Sequence, residues 1–401
     1  MTASENRRVL ISGASIAGPA LAGLLGRNGY EVTVVEKAPG VRPGGQAVDF
    51  KGRTHREILT RMGVWDDVLA HQTSKTDWRM VDETDRVNAV IPGEFIGGDV
   101  EILRGDLAGI LHRHSAGDAE YVFGDEITAL TEQAEGIDVS FAHRADERFD
   151  LVVGADGVHS AVRRLAFGPE SDHVERLGYF YAVASGVVPL DGLETRLPSG
   201  RGVAYGYNVP GRLALAGGQK APNLFVFRGD SGGYDRRDVE SQRRLLQDAF
   251  AGVGWRVPEM LAAAAEASDF YLDEITRTRM TSFTRGRVAL VGDAGYANTL
   301  GGFGTGLALI GAYVLAGELV RAQGDHVAAL AAYDARMRKP TKIARTGSAG
   351  PFLAPPSERR IRMRDRTFAN PLMMRAMMWI TDVFATDTSL PDYGLSTARS
   401  F

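Results

Sequence analysis

Apolar positions along the chain gather into short continuous runs that stop on small residues. Val9-Leu10-Ile11 runs into Ser12-Gly13-Ala14-Ser15-Ile16-Ala17-Gly18, and an apolar pattern of helical spacing follows through Leu25. Glu31-Val32-Thr33-Val34-Val35 ends on Glu36. Leu151-Val152-Val153 ends on Gly154-Ala155-Asp156-Gly157, and Arg287-Val288-Ala289-Leu290-Val291 ends on Gly292-Asp293, ahead of a long apolar helix from about 305 to 322. Short apolar runs bounded by turn residues predict strands with both faces covered, and the intervening 3.6-residue patterns predict the helices that cover them.

Between these runs the texture differs. A Gly-rich loop at 39–46 precedes a predicted helix at about 54–62, 76–81 is strand-like, and apolar residues at 103, 107, 110 and 111 keep helical spacing. Alternating segments surround Tyr121 and Ile137. From about 176 to 272, alternating apolar and aromatic residues (179–188, 202–207, 213–216, 223–227) predict an antiparallel sheet with one face lining a cavity. Helices at about 237–250 and 259–267 follow, and the tail from 340 holds a basic segment at 358–366 and a Met-rich stretch at 371–384. The expected organisation is an α/β, Rossmann-like dinucleotide-binding domain built discontinuously from 1–75, 100–175 and 276–340. An antiparallel-sheet substrate domain from 76–99 and 176–275 is inserted into it, and 341–401 forms a C-terminal helical segment.

Composition narrows the class. With 401 residues, 44% hydrophobic and 24% charged, the chain has the make-up of a globular protein larger than one ordinary core. A net charge of −4 without sustained Lys/Arg runs speaks against a nucleic-acid surface. The absence of cysteine removes disulfides, thiolate metal sites and cysteine nucleophiles. The first strand starts at once after a short polar segment, and the longest apolar stretch, 306–320, contains Glu318 and is short for a bilayer, so no membrane association and a cytoplasmic location are expected.

The chemistry sits at the strand ends. Gly13-x-Ser15-x-x-Gly18 keeps the G-x-G-x-x-G spacing with Ser in the middle: Gly13 permits the reversal, Gly18 lets the helix close on its strand, and a small residue at 15 admits a pyrophosphate to the helix N-terminus. Glu36 follows Gly18 by 18 residues, near the roughly 20 expected for a carboxylate on a ribose hydroxyl. Asp156-Gly157 and Gly292-Asp293 terminate two further strands, so all three turns are expected to meet one ligand.

In these stretches the chain resembles the FAD-dependent aromatic hydroxylases of the para-hydroxybenzoate hydroxylase class, nearest to bacterial members acting on polyketide and tetracycline-like substrates. Gly13 to Gly18 with Glu36 is similar to the ADP-binding fingerprint for FAD, residues 154–163 to the Asp-Gly motif associated with FAD and NAD(P)H, and Gly292-Asp293-Ala294 to the motif whose Asp meets the ribityl chain; Arg104 in Leu-Arg-Gly-Asp-Leu matches an arginine placed against the flavin. The resemblance implies FAD contacts from Gly13, Ser15, Ile16, Ala17, Gly18, Glu36, Lys37, Gln46, Arg104, Asp156, Gly292, Asp293, Gly304, Thr305 and Gly306. It also implies NADPH or NADH as transient co-substrate, O2 activated at flavin C4a, and hydroxylation of a small aromatic, polycyclic substrate. The flavin carries the reaction, so no catalytic side chain is named. Amides at 304–306, at a helix N-terminus, would face the flavin N1 and C2 carbonyl.

Departures cluster after Asp293: Tyr296 is present, no proline lies between 294 and 301, the loop through Phe303 is one residue short, and glycine stands at 306 and 311 where the family has Asn or Ser and often Asp. Two rivals therefore stand beside the hydroxylase: a flavin fold without net oxygenation, serving as non-redox cyclase or binding protein, and an NAD dehydrogenase. Tyr205, Tyr207, Phe225 and Phe227 on alternating strands, with Tyr296 and Phe303, are the candidate substrate-lining residues, core packing being the rival reading of the first four. His112 and His114 lack a third ligand for a metal and read as surface residues, Trp255 as packing, Arg359, Arg360, Arg362, Arg364 and Arg366 as a solvated face, and the methionines at 373–378 as helix packing rather than a lid. Ser160 lacks a nucleophile-elbow context.

Overall fold

The computed structural model describes residues 7–42, 44–218, 223–230, 234–383 and 389–396, with side chains of the last helix up to residue 377. The apolar runs do form one sheet. Its six strands lie in the order Thr284–Arg285, Val288–Leu290, Leu151–Gly154, Arg8–Ser12, Glu31–Glu36, Glu120–Phe123, parallel except for the first. Val9, Leu10 and Ile11 are wholly buried, because helices Ala17–Gly26 and Gly304–Arg321 and their neighbours cover the sheet.

Gly304–Arg321 is long and apolar enough to cross a membrane, at 18 residues and a mean hydropathy of 1.2, although the expected stretch read as short for a bilayer. It is 78% buried inside the protein and serves as a core helix.

The second large sheet has seven strands, ordered Tyr271–Thr278, Val174–Ala184, Asn223–Arg228, Arg212–Ala216, Gly202–Val209, Thr76–Val81, Val87–Ile91. It is antiparallel with one exception: Gly202–Val209 runs parallel to Thr76–Val81, since the latter arrives from the other limb of the chain and not through a hairpin. Helices Val239–Ala249 and Val257–Glu266 cover one face with Phe225, Phe227, Phe250 and Met260 between them. The opposite face carries Trp78, Met80, Tyr181, Val183, Leu213, Leu215, Leu224 and Val226, and packs with Leu300 and with Phe352, Leu353 and Phe368 of the C-terminal part.

That part comprises Pro340–Arg345, Gly350–Leu353, Glu358–Ala369 and Pro371–Val383. Arg364 is not solvated as expected. It is buried, with its guanidinium on the carbonyls of Phe352 and Leu353 and on the side chain of Asn208. Met374 packs while Leu372 and Met373 are exposed; Met378 lies outside the described side chains. The segment 389–396 then returns to the first domain, where Tyr393 packs on Gly317 and donates to Glu318 at 2.6 Å.

Candidate active site

The three turns meet at the carboxyl ends of the parallel strands. Gly13 has φ +109°, and a Cβ there would stand 2.5 Å from the Ala155 carbonyl oxygen, so the first turn lies directly against the Asp-Gly loop. A Cβ on Gly18 would overlap the Gly13 carbonyl oxygen. At Gly292, φ +67°, a Cβ would touch Ala17 at 3.2 Å, which joins the third turn to the first helix, where Ile16 and Ala17 are buried. Neighbouring strand ends and two helix starts thus frame one cleft.

Its polar groups divide by function. The Glu36 carboxylate accepts from the amides of Ala14 (3.0 Å) and Ala38 (2.9 Å), which fixes it beside the first turn with lone pairs left over. Lys37 is exposed next to it, on an open groove of about 850 Å³ shared with Arg42, His143 and Arg237. The antiparallel pair Ala47–Phe50 with Val100–Leu103 carries Gln46 to Arg104, whose amide donates to the Gln46 carbonyl at 3.1 Å. The Arg104 guanidinium donates to Ser15 at 3.0 Å, so residues 89 apart in sequence share the phosphate-sized turn.

Asp156 is turned inward. It accepts from the Ser160 hydroxyl and from the amides of Ala161 (2.8 Å) and Val162 (3.1 Å), capping helix Ala161–Phe167; burial pushes its carboxyl up and those donors offset part of the rise. Asp293 is the opposite case. It is exposed between the buried Gly292 and Ala294, yet protein surrounds it at depth, as on the floor of an open cleft. No protein group among the described residues donates to its side chain. The surrounding protein raises its pKa, and the charge of Arg104 across the cleft lowers it. A Cβ on Gly304 would lie 3.4 Å from its Oδ1, placing the carboxylate at the start of Gly304–Arg321 beside Thr305 and Gly306.

The unusual glycines have occupants. A Cβ at Gly306 would collide with the imidazole of buried His55, and one at Gly311 with the hydroxyl of Tyr296. Tyr296 is therefore a core residue and not a substrate contact: it packs edge-on against Phe283, faces Tyr333, and burial pushes its phenol up to about 12. Phe303 is half-buried ahead of Gly304 and packs on the first-domain core. The proline-free loop is braced instead by hydrogen bonds to the strand Tyr271–Thr278, Thr278 amide to Ala297 carbonyl and Thr299 amide to Thr276 carbonyl, both at 2.9 Å.

Tyr205, Tyr207, Phe225 and Phe227 do not line the cleft. Phe225 and Phe227 pack under the two helices, Tyr207 stacks on Trp255, and Tyr205 sits among Val81, Val203 and Leu197 and donates to the Glu194 carbonyl. Both faces of these strands are buried, so alternation marks two faces without saying which is covered by helices. The neighbours one position along, Leu213, Leu215, Leu224 and Val226, with Tyr181 and Met80, form the face toward Leu300. Tyr181 feels the charges of both Arg104 and Asp293. Sequence reasoning assigned no individual role to His159, Asp273 or Tyr271, which meet beside the Asp-Gly loop. His112 and His114 are half-buried, His112 against Tyr121 and His114 on Asp67, and no metal-sized cluster occurs among the described residues.

Comparison with known proteins agrees with this arrangement. Residues 6–342 match the family model described as an FAD binding domain. A flavin-dependent monooxygenase of Legionella longbeachae is 37% identical over 346 residues, covering 84% of this chain and 86% of that one. An uncharacterised protein of Mycobacterium tuberculosis is 40% identical over 342 residues, covering 82% and 89%. Among solved structures, the tetracycline destructase Tet(55) superposes with a TM-score of 0.77 at 32% identity over 97% of this chain and 99% of its own. The exposed acid at the third turn, the fingerprint at the first and these relatives together place the chain in the family of FAD-dependent monooxygenases, the class A flavoprotein hydroxylases.

Proposed function

We propose that the protein hydroxylates a planar, polycyclic aromatic substrate of polyketide type, with NADPH or NADH as the electron source. The observation that carries the reading is the Asp293 carboxylate, open on the cleft floor between Arg104 and the start of Gly304–Arg321. The sheet face that carries Tyr181, with Met80, Leu215 and Val226, is apolar and packs with Leu300 and the C-terminal part, so a flat hydrocarbon-rich ligand would enter along that flank, and tetracycline destructases share the fold.

FAD, when bound, supplies hydride acceptance and oxygen activation. The chain's residues orient and shield it. Glu36 would accept from the adenosine ribose hydroxyls, with Lys37 beside it. The amides from Ser15 to Gly18 and the Arg104 guanidinium would hold the pyrophosphate. Gly292 and Asp293 would take a ribityl hydroxyl, and the amides of Gly304, Thr305 and Gly306 would stabilise negative charge at the pyrimidine end of the ring. Gln46 supports Arg104 through its carbonyl. Asp156 acts indirectly, since its acceptors are used by its own loop and helix. The sheet face and the C-terminal helices would exclude water.

Purified protein should carry flavin absorbance, and a polycyclic phenol should stimulate NADPH oxidation with a product heavier by one oxygen atom. Product of unchanged mass without NADPH consumption would refute the reading and favour the non-redox alternative.

A further inference from the structure

Beside the Asp-Gly loop a chain of polar side chains links Tyr271 to Glu170. Tyr271, first residue of its strand, is 41% exposed although protein surrounds its hydroxyl, the same combination as at Asp293. Its ring lies 5.8 Å from that of Tyr181, which feels Arg104 and Asp293. The Tyr271 hydroxyl donates to Asp273 at 2.8 Å. Asp273 is also held by His159 Nε2 at 3.2 Å, and His159 Nδ1 meets Glu170 at 3.0 Å. Arg163 and Arg236 each approach Glu170 to 3.7 Å. The Tyr271–Asp273 link lies within the edge strand of the seven-stranded sheet, and the links through His159 join that strand to the Asp-Gly loop and to the turn Glu170–Asp172.

We propose that Tyr271 is a ligand-contacting residue of the cleft, and that Asp273, His159 and Glu170 are positioning residues that fix its hydroxyl. This rests on the reading that the cleft holds FAD and a second planar ligand. The Tyr271 hydroxyl donates to Asp273 and is also hydrogen-bonded with the neighbouring Tyr181 hydroxyl, which leaves one lone pair on its oxygen, and its exposed ring presents a flat apolar surface. That combination selects a planar ring bearing a hydrogen-bond donor. The phenol of an aromatic substrate and the carboxamide of a reduced nicotinamide both have this chemistry, and binding tells them apart.

The support depends on pH. Burial works to lower the His159 pKa, but Asp273 and Glu170 outweigh it and raise it above the ordinary value, while both carboxylates are lowered by the imidazolium. The groups facing His159 are Glu170 and Asp273, with Arg163 and Arg236 behind Glu170 and Tyr271 behind Asp273. The doubly bonded imidazolium is present below the raised pKa and lost as pH rises through it.

The test uses the full, FAD-loaded chain titrated with NADH, NADPH and tetracycline while flavin absorbance is followed. Tyr271→Phe should weaken one probe by about 3- to 10-fold with FAD content unchanged and the melting temperature lowered by no more than the loss of one hydrogen bond. Asp273→Asn and His159→Gln should weaken the same probe. Wild-type affinity should fall as pH rises through the His159 titration, and His159→Gln should be flat over that range. The probe affected identifies the ligand, nicotinamide or polycycle. Tyr271→Phe indistinguishable from wild type toward all three probes, or FAD-loaded wild type that binds none of them, would overturn the proposal. Wild-type chain that takes up no FAD would instead overturn the function reading, by a separate measurement.

Discussion

The two large sheets place their ligand groups differently. In the six-stranded parallel sheet the candidate ligand groups stand at strand ends, where Gly13, Glu36, Asp156 and Asp293 break apolar runs. In the seven-stranded sheet the proposed substrate groups would stand on one flank of the strands, and the residues of both flanks are apolar and buried. A strand end leaves a local mark in sequence, because a tight turn needs glycine and an unpaired helix start attracts an acid or an anion. A flank leaves none, because which face is covered depends on where helices Val239–Ala249 and Val257–Glu266 land.

Substitutions at strand ends should remove the cofactor, and substitutions on flanks should separate stability from substrate recognition. The largest effect belongs to Gly18→Val. Its side chain has no room against the Gly13 carbonyl, and overpacking of this kind costs about 3 kcal/mol or more, so colourless protein with a lowered melting temperature is expected. Yellow, wild-type-like protein would show that the turn opens freely. Phe225→Ala, under the helices, should cost about 3–5 kcal/mol in a urea titration and leave substrate KM unchanged. Leu215→Ala, one strand away on the cleft flank, should raise substrate KM as well as cost stability; the reverse pattern would exchange the roles of the two faces.

Asp293→Asn keeps the side chain's size and removes its charge. FAD affinity should fall by about 10-fold, on the order of 1.4 kcal/mol, in a fluorescence titration, with little change in melting because no protein donor among the described residues relies on it. The smallest effect concerns the parallel strand pair. Arg201 bridges Asp77 and Glu94, and its hydrogen bonds hold the Glu94 carboxyl down at about 2. A lowered carboxylate contributes stability above its ordinary value that is lost as pH falls toward about 2. Glu94 is partly solvated, so the contribution is below about 1 kcal/mol. Arg201→Met should flatten the decline in melting temperature between neutral and acid pH by that amount; an unchanged acid limb would assign the decline to other groups.

The sequence departures after Asp293 show how far local reading reaches. Glycine at 306 and 311 stands out against the pattern of the family the chain resembles, but the reasons lie far away in the chain: His55 fills one place and the Tyr296 hydroxyl the other. Loss of proline is visible as well, while the bracing that replaces it comes from Thr276 and Thr278 on the other sheet. His159 is visible within the Asp-Gly motif, and nothing near it in sequence announces Asp273, 114 residues on. The C-terminal return through Tyr393 to Glu318, and the burial of Arg364 in an otherwise basic helix, are likewise tertiary events.

What the amino-acid order determined alone is the continuous apolar strands of the parallel sheet, the turns that terminate them and the dinucleotide class of cofactor those turns suit, because backbone reversal, helix starts and period-matched burial are short-range demands. Which flank of the second sheet lies under helices, which acid stays open and which arginine is buried were decided only when distant segments packed. Those choices follow from what covers each side chain, and covering is a property of the folded whole.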